Sequence, residues 1–393
     1  MASVTNEASA PASRPLLDPK AHTTSRIVPF SASAERFEYI DVLRGLAVVL
    51  MVEQHLGIWL TAVYRVRGGL LPLVMGINAL GGAAAPLFVF LAGVSAALGT
   101  QLADSAFLRR GLALGLCGFL LNLACPSWFS PGSYYVLHLI ACFWLLVPGL
   151  RRLSAGWLLV LFVVVLVLTL GVQTWLRTPP LLTNDRLRDT SLSFGVLRLA
   201  LAEGHFPLLP WLAFALLGSW AGRKIKSGAL GQLFPAAAIL LTAFVVLRLP
   251  RLLLRPRQLR QLPLRSLVDV SFYPASVAFV LLLAGICLLL LALARHWDGH
   301  LRLVRPWLLP LGRTSLTLLC LHVVVFREGS RALGYFQRVE PIAVLLVIAA
   351  VLSGWALLAR AWARADYRYS LEWWLRRAGG RARVAIPGQD LPR

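Results

Sequence analysis

Apolar runs of about 20 residues recur along the chain from Tyr39 onward, and most of them end at a short basic connection. A helix of that length, rising ~1.5 Å per residue, crosses the ~30 Å hydrocarbon core of a bilayer. Lipid offers no water to satisfy backbone amides, so a spanning segment must pair its own, which a helix does. The runs include Tyr39–Leu60, Leu73–Leu98, Ala155–Leu176, Tyr273–Ala294 and Ile342–Trp362. Counting all of them predicts an all-α, polytopic transmembrane helical bundle of about ten spans over residues 36–365. Of the 393 residues 58% are hydrophobic and 14% charged, too little polar surface for a soluble chain of this size.

The net charge of +22 comes from arginine, with Lys20, Lys224 and Lys226 the only lysines. Nucleic acid is a poor partner for it, because the arginines are scattered over short connections instead of gathered on one face. An excess of cations in cytoplasmic loops explains them better. With the N-terminus inside, the inner loops hold Arg109/Arg110, Arg151/Arg152, Arg223/Lys224/Lys226 and Arg302/Arg305. The expected location is the cell (inner) membrane, multi-pass, with both termini cytoplasmic. Residues 1–35 read as a disordered cytoplasmic tail and 366–393 as a basic one. The exception is Arg248 to Arg265, six arginines among leucines and prolines, which reads as an interfacial segment or a basic wall for an anion. Five cysteines form no CxxC pair, so neither a disulfide framework nor a zinc site is expected.

The first run breaks the apolar pattern. It reads YIDVLRGLAVVLMVEQHLGIWL and carries Asp41 and Arg44 at its start, then Glu53, Gln54 and His55 deep inside. Ionisable groups in a span are costly and usually face the bundle interior or a wet cavity. At ~100° per residue, eleven positions return a helix to within ~20°, so Asp41, Arg44 and His55 share one stripe, with about 16 Å of rise from Arg44 to His55. That stripe could hold an anionic ligand at one end and do chemistry at the other; the bland alternative is an interfacial ion pair and a core histidine. A second polar group lies in LPLGRTSLTLLCLH, with Arg313, Ser315, Thr317 and His322. The polar connection from Thr178 to Glu203 is placed to cap a site from outside. The small residues Gly81 to Ala85 suit close packing against the first span, with Pro86 bending the second.

Four stretches in order, IDVLRGLAVVLMVEQH, APLFVFLAGVSAAL, FPLLPWLAFALLGSW and LGRTSLTLLCLH, resemble the signatures of the heparan-α-glucosaminide N-acetyltransferase catalytic-domain family and, more widely, of transmembrane acyltransferases that modify sugars. The resemblance implies transfer of an acyl group, usually acetyl from acetyl-CoA, to an amino or hydroxyl group of a saccharide or other envelope acceptor. It places the catalytic histidine at His55 and matches Asp41 and Arg44 to the motif's opening. One departure stands out: the animal lysosomal enzymes carry a histidine in the loop after the first conserved span, and LGIWLTAVYRVRGGL has none.

The chemistry agrees independently. A thioester acyl transfer needs a base or a transient acyl carrier, and imidazole can be either. It also needs an oxyanion stabiliser, for which Arg313, Ser315 and Thr317 are the candidates, while Arg44 is placed to hold acyl-CoA phosphates. Glu53, Gln54 and His322 are secondary candidates. The expected partners are the bilayer, acyl-CoA as co-substrate and the acceptor, with no permanent cofactor and no metal. The competing class is a transporter or channel for a small anionic solute, since intramembrane charges also mark such pathways, although the sequence lacks the internal repeat that transporters show.

Overall fold

A computed structural model describes residues 37–62, 71–99, 102–253 and 265–378. The chain divides at Phe37 into two units. The expected tail 1–35 lies outside the described residues, and the architecture below is that of the unit beginning at Glu38.

That unit opens with α1 (Glu38–Leu60). The second span is α2 (Leu71–Leu80), a 3₁₀ turn over Gly81–Ala83 and α3 (Ala84–Leu98). The turn falls where Pro86 lacks the N–H that would bond the carbonyl of Gly82. Next come α4 (Asp104–Ala124), α5 (Val136–Leu150) and α6 (Ala155–Trp175), then the short α7 (Asn184–Arg188) and α8 (Gly195–Arg198). The second half contains α9 (Leu208–Lys226), α10 (Leu233–Leu253), α11 (Arg265–Val268) and α12 (Val277–His296). It continues through α13 (Arg305–Arg313), α14 (Ser315–His322), α15 (Gly329–Ala332), α16 (Pro341–Ala363) and α17 (Leu371–Ala378). No strand occurs among the described residues.

Seven helices among the described residues are long and apolar enough to cross a bilayer, or nine when two bent pairs each count as one. The expected ten are not met. The segment from Tyr134 to Leu150 supplies a helix of only 15 residues, about 22 Å against a ~30 Å core. Tyr134 and Tyr135 lie before it, and the Tyr135 N–H donates to His138 Nδ1 at 3.2 Å to cap it. Outward leucines at helical spacing, such as Leu112, Leu116 and Leu120 on α4, stay exposed, as a lipid-facing surface requires.

Close contacts between helices run through glycine. A methyl on Gly45 of α1 would strike the Leu308 carbonyl of α13, and one on Gly312 would strike the Asp41 carbonyl. The same device joins α3 to α9, where Gly93 meets the Ala215 carbonyl and Gly218 the Phe90 carbonyl. Without an apolar contrast against lipid, such backbone approach is a main source of helix association.

Two basic segments set apart from the spans make defined contacts in part. Arg248 donates to the Val268 carbonyl at 2.7 Å and Arg251 pairs with Asp269; residues 254–264 of the basic stretch lie outside the described residues. Within the basic C-terminal stretch α17 packs on the bundle, and residues 379–393 lie outside the described residues. Glu372 explains the docking: its Oε1 accepts from Leu316 N at 2.6 Å and Thr317 N at 3.2 Å, and its Oε2 accepts from Thr317 Oγ1 at 2.6 Å. It thereby satisfies orphan donors in the first turn of α14.

Candidate active site

The C-terminal half of α1 carries Met51, Gln54, His55, Ile58 and Trp59 along the wall of a cavity of about 760 Å³. The end of α1 is pinned there. Gln337 N donates to Trp59 O at 2.8 Å and Val339 N to Leu60 O at 2.9 Å, so the segment after α15 takes carbonyls the helix leaves free. The connection between α4 and α5 contributes Ser127, Trp128 and Tyr135, and the α6–α9 connection contributes Leu182, Asn184, Asp185, Arg188, His205 and Phe206. The expected capping by residues 178–203 thus takes the form of one wall of this cavity. Tyr273, from the connection before α12, completes it, and burial raises its phenol above the ordinary value, which keeps it a neutral donor.

His55 Nδ1 lies 2.7 Å from His322 Nε2, and the two rings meet edge to edge, 8° from parallel with their centroids 4.9 Å apart. The hydrogen-bond chain assigns the tautomers. His322 Nδ1 sits 3.2 Å from the Leu318 carbonyl oxygen, which can only accept, so His322 carries its proton on Nδ1 and offers a lone pair at Nε2. His55 must then donate from Nδ1, which leaves a lone pair on its Nε2. Nε2 has no hydrogen-bond partner among the described residues, and His55 is partly buried along the cavity wall. Trp59 stacks on His55 at 4.9 Å and Trp128 meets it edge-on at 5.4 Å, fixing the ring plane.

The break between α13 and α14, a bend of 74° at Thr314, aims α14 so that His322 reaches α1. A π-helical turn, Val323–Glu328, follows directly. Its i→i+5 bonding brings positions five apart toward one face, whereas in an α-helix five steps of ~100° would leave them ~140° apart. Arg327 consequently reaches the same cavity as His55. It is 7% exposed, with its Nε donating to Ser127 Oγ at 3.2 Å and Nη2 to Ser127 O at 3.1 Å.

The other expected site residues divide into three groups. Asp41, Arg44 and Arg313 come together at the opposite end of α1: Arg44 Nη1 bonds Asp41 Oδ1 at 2.7 Å, its Nη2 bonds Ser95, and Arg313 Nε lies 3.6 Å from Asp41 Oδ2. None of these three lines the cavity. The stripe is real as helix geometry; α13 approaches α1 beside its first half at Gly45, and the cavity lined by His55 does not include Arg44. Thr317 is held by Glu372, and neither it nor Ser315 lines the cavity. Glu53 takes Asn78 Nδ2 at 3.3 Å. Gln54 does line the cavity, and with its amide oriented to satisfy both atoms it donates to Gly81 O and accepts from Gly82 N, each at 3.1 Å.

Sequence reasoning missed Trp59, Trp128, Arg188 and Arg327. Arg327 carried a readable signal, a guanidinium within LHVVVFREGS, five residues after His322 in an apolar run. His205 was noted only as the start of a span. It is fully buried beside the cavity, ringed by Trp128, Phe129, Tyr135 and Tyr273, and neither of its ring nitrogens has a hydrogen-bond partner among the described residues. Among the described residues no group of three or more His, Cys, Asp or Glu could hold a metal ion.

Residues 36–245, more than half of the chain, match the family described as heparan-alpha-glucosaminide N-acetyltransferase, catalytic. His55, Trp128 and His205 fall inside the matched region, and His322 and Arg327 beyond it. No curated protein matches the chain.

Proposed function

Because the chain belongs to the heparan-α-glucosaminide N-acetyltransferase catalytic family, a family of membrane acetyltransferases, we propose that it moves an acetyl group from acetyl-CoA to an amino or hydroxyl group of a saccharide acceptor at His55. The observation that carries this reading is the chain Leu318 O, His322, His55, which presents one imidazole lone pair to the cavity.

In the proposed reaction His55 Nε2 takes the proton of the acceptor as its nitrogen or oxygen attacks the thioester carbon. The tetrahedral intermediate collapses by breaking the carbon–sulfur bond, and His55 returns the proton to the departing thiolate, giving free CoA and the acylated acceptor. While His55 is doubly protonated its Nδ1–H still bonds the His322 lone pair, so the imidazolium is oriented and stabilised. A buried carboxylate performs the same service in hydrolytic triads; a neutral imidazole does it without an additional buried charge. The same Nε2 lone pair suits direct attack on the thioester, the covalent form of the reaction.

Asp41, Arg44 and Arg313 are assigned in this reading to clamping α1 against α3 and α13, and acetyl-CoA to the cavity. The protein is taken as multi-pass in the cell membrane with both termini cytoplasmic, which the basic loops between the spans support. The test is release of CoA from acetyl-CoA by purified protein in the presence of an amino sugar such as glucosamine. Acceptor-stimulated release is expected; no release with any amino or hydroxyl acceptor would favour transport of an anionic solute instead.

A further inference from the structure

The cavity wall holds three guanidinium groups, Arg188, Arg327 and Arg331, against one lining carboxylate, Asp185. None of the three arginines forms an ion pair among the described residues; nearby Glu203 is taken by Arg186 at 3.4 Å and Arg198 at 2.5 Å. The charges are crowded together. Arg327 Nη2 and Arg188 Nη1 donate to the same carbonyl, Ser127 O, at 3.1 and 3.5 Å, and Arg327 and Arg331 lie over the same Phe336 ring at 5.4 and 4.9 Å. The carboxylate next in sequence, Glu328, accepts from Ser127 Oγ at 2.7 Å, so it is bridged to Arg327 by that hydroxyl and acts on it through space without a direct ion pair.

A buried cation is tolerated when it is paired, and here carbonyl, hydroxyl and ring faces orient the guanidinium without cancelling its charge. We propose that Arg327, with Arg188 and Arg331, forms an anion subsite for a carboxylate, sulfate or phosphate carried by the acceptor beside the atom that receives the acyl group. The word acceptor rests on the acetyltransferase reading; the anion subsite does not. An anion of acyl-CoA is the other possible source, and distance argues against it. Trp128 lies 4.9 Å from Arg327 Cζ and 5.4 Å from the His55 ring, so the subsite and the reacting nitrogen are separated by a single indole, whereas the phosphates of CoA stand a whole pantetheine arm from its thioester. The aromatic walls are suited to the apolar face of a sugar ring, and the unpartnered nitrogens of His205 supply further polar contacts on the same side.

The test is the intrinsic tryptophan emission of full-length detergent-solubilised protein, titrated separately with glucosamine 6-phosphate, glucosamine and CoA. Glucosamine 6-phosphate should bind at least about tenfold more tightly than glucosamine. Arg327→Gln should weaken the phosphorylated sugar by on the order of 30-fold or more, the scale for one partner of a buried charge pair, and leave glucosamine and CoA within about twofold. Arg327→Lys, which keeps the charge, should retain most of the preference, and unfolding temperatures identify a variant that has lost its fold. Equal binding of the two sugars, binding of neither, or an equal loss for both in Arg327→Gln would overturn the proposal. A loss confined to CoA would assign the arginines to the donor and overturn it too. CoA release by the wild type is measured separately, so failure of the acetyltransferase reading remains distinguishable.

Discussion

His55 and His322 are 267 positions apart in sequence and 2.7 Å apart in space. Because the Leu318 carbonyl can only accept from the far side of His322, neutral His55 donates between the two imidazoles from Nδ1 and keeps its lone pair on Nε2. Removing His322 should therefore impair turnover while leaving the cavity in place. His322→Ala is expected to lower kcat about 10²- to 10⁴-fold, the range for losing an acid–base element. His322→Gln, whose amide oxygen can still accept from His55 Nδ1, should lose less. Steady-state CoA release on both variants checks the order.

His205 should separate stability from function. A buried polar group without a partner costs about 1–3 kcal/mol, and the ring already sits among aromatic side chains. His205→Phe is expected to leave the thermal midpoint unchanged or raised, yet to raise KM for the acceptor. Differential scanning fluorimetry and acceptor titration read the two effects.

Gly312 allows α13 to lie against α1. A methyl there meets the Asp41 carbonyl, backbone instead of a yielding side chain, so Gly312→Ala should destabilise by about 1–3 kcal/mol through overpacking. Gly354 on α16, where a methyl would meet nothing within 4 Å, is the control, and Gly354→Ala should be neutral or slightly stabilising. Thermal unfolding of the two variants side by side measures the difference.

Glu372 links the C-terminal helix to the helix carrying His322. Glu372→Gln keeps the shape but can accept through one oxygen only, leaving one of the three donors at the start of α14 unmet. A loss of about 1–2 kcal/mol is expected, with a larger one for Glu372→Ala. Hydrogen exchange of the Leu316 and Thr317 amides should rise in both variants.

The helices could be read in the sequence because lipid imposes one strong rule on any chain that crosses it. His55 stood out for the same reason, an imidazole being conspicuous in an apolar run. Its partner was visible as a polar residue of a later span, but polarity shows that a group needs company without showing which. Positions eleven apart do face the same way, but Arg44 is engaged with Asp41 and Ser95 while His55 lines the cavity; which neighbours each end of a stripe meets is set by packing that the spacing does not encode. Val136–Leu150 fell short as a span because the two tyrosines counted with it lie in its cap and its preceding turn. The site's cationic side escaped notice because Arg327 depends on a π-helical turn, which has no periodicity signature in sequence.

The account turns on His55 Nε2 as the reacting nitrogen, and the most direct measurement is CoA release by purified His55→Ala against wild type at saturating acetyl-CoA and acceptor. A loss of about 10²-fold or more with an unaltered unfolding temperature is the expected result. Turnover in the folded variant close to that of the wild type would contradict it.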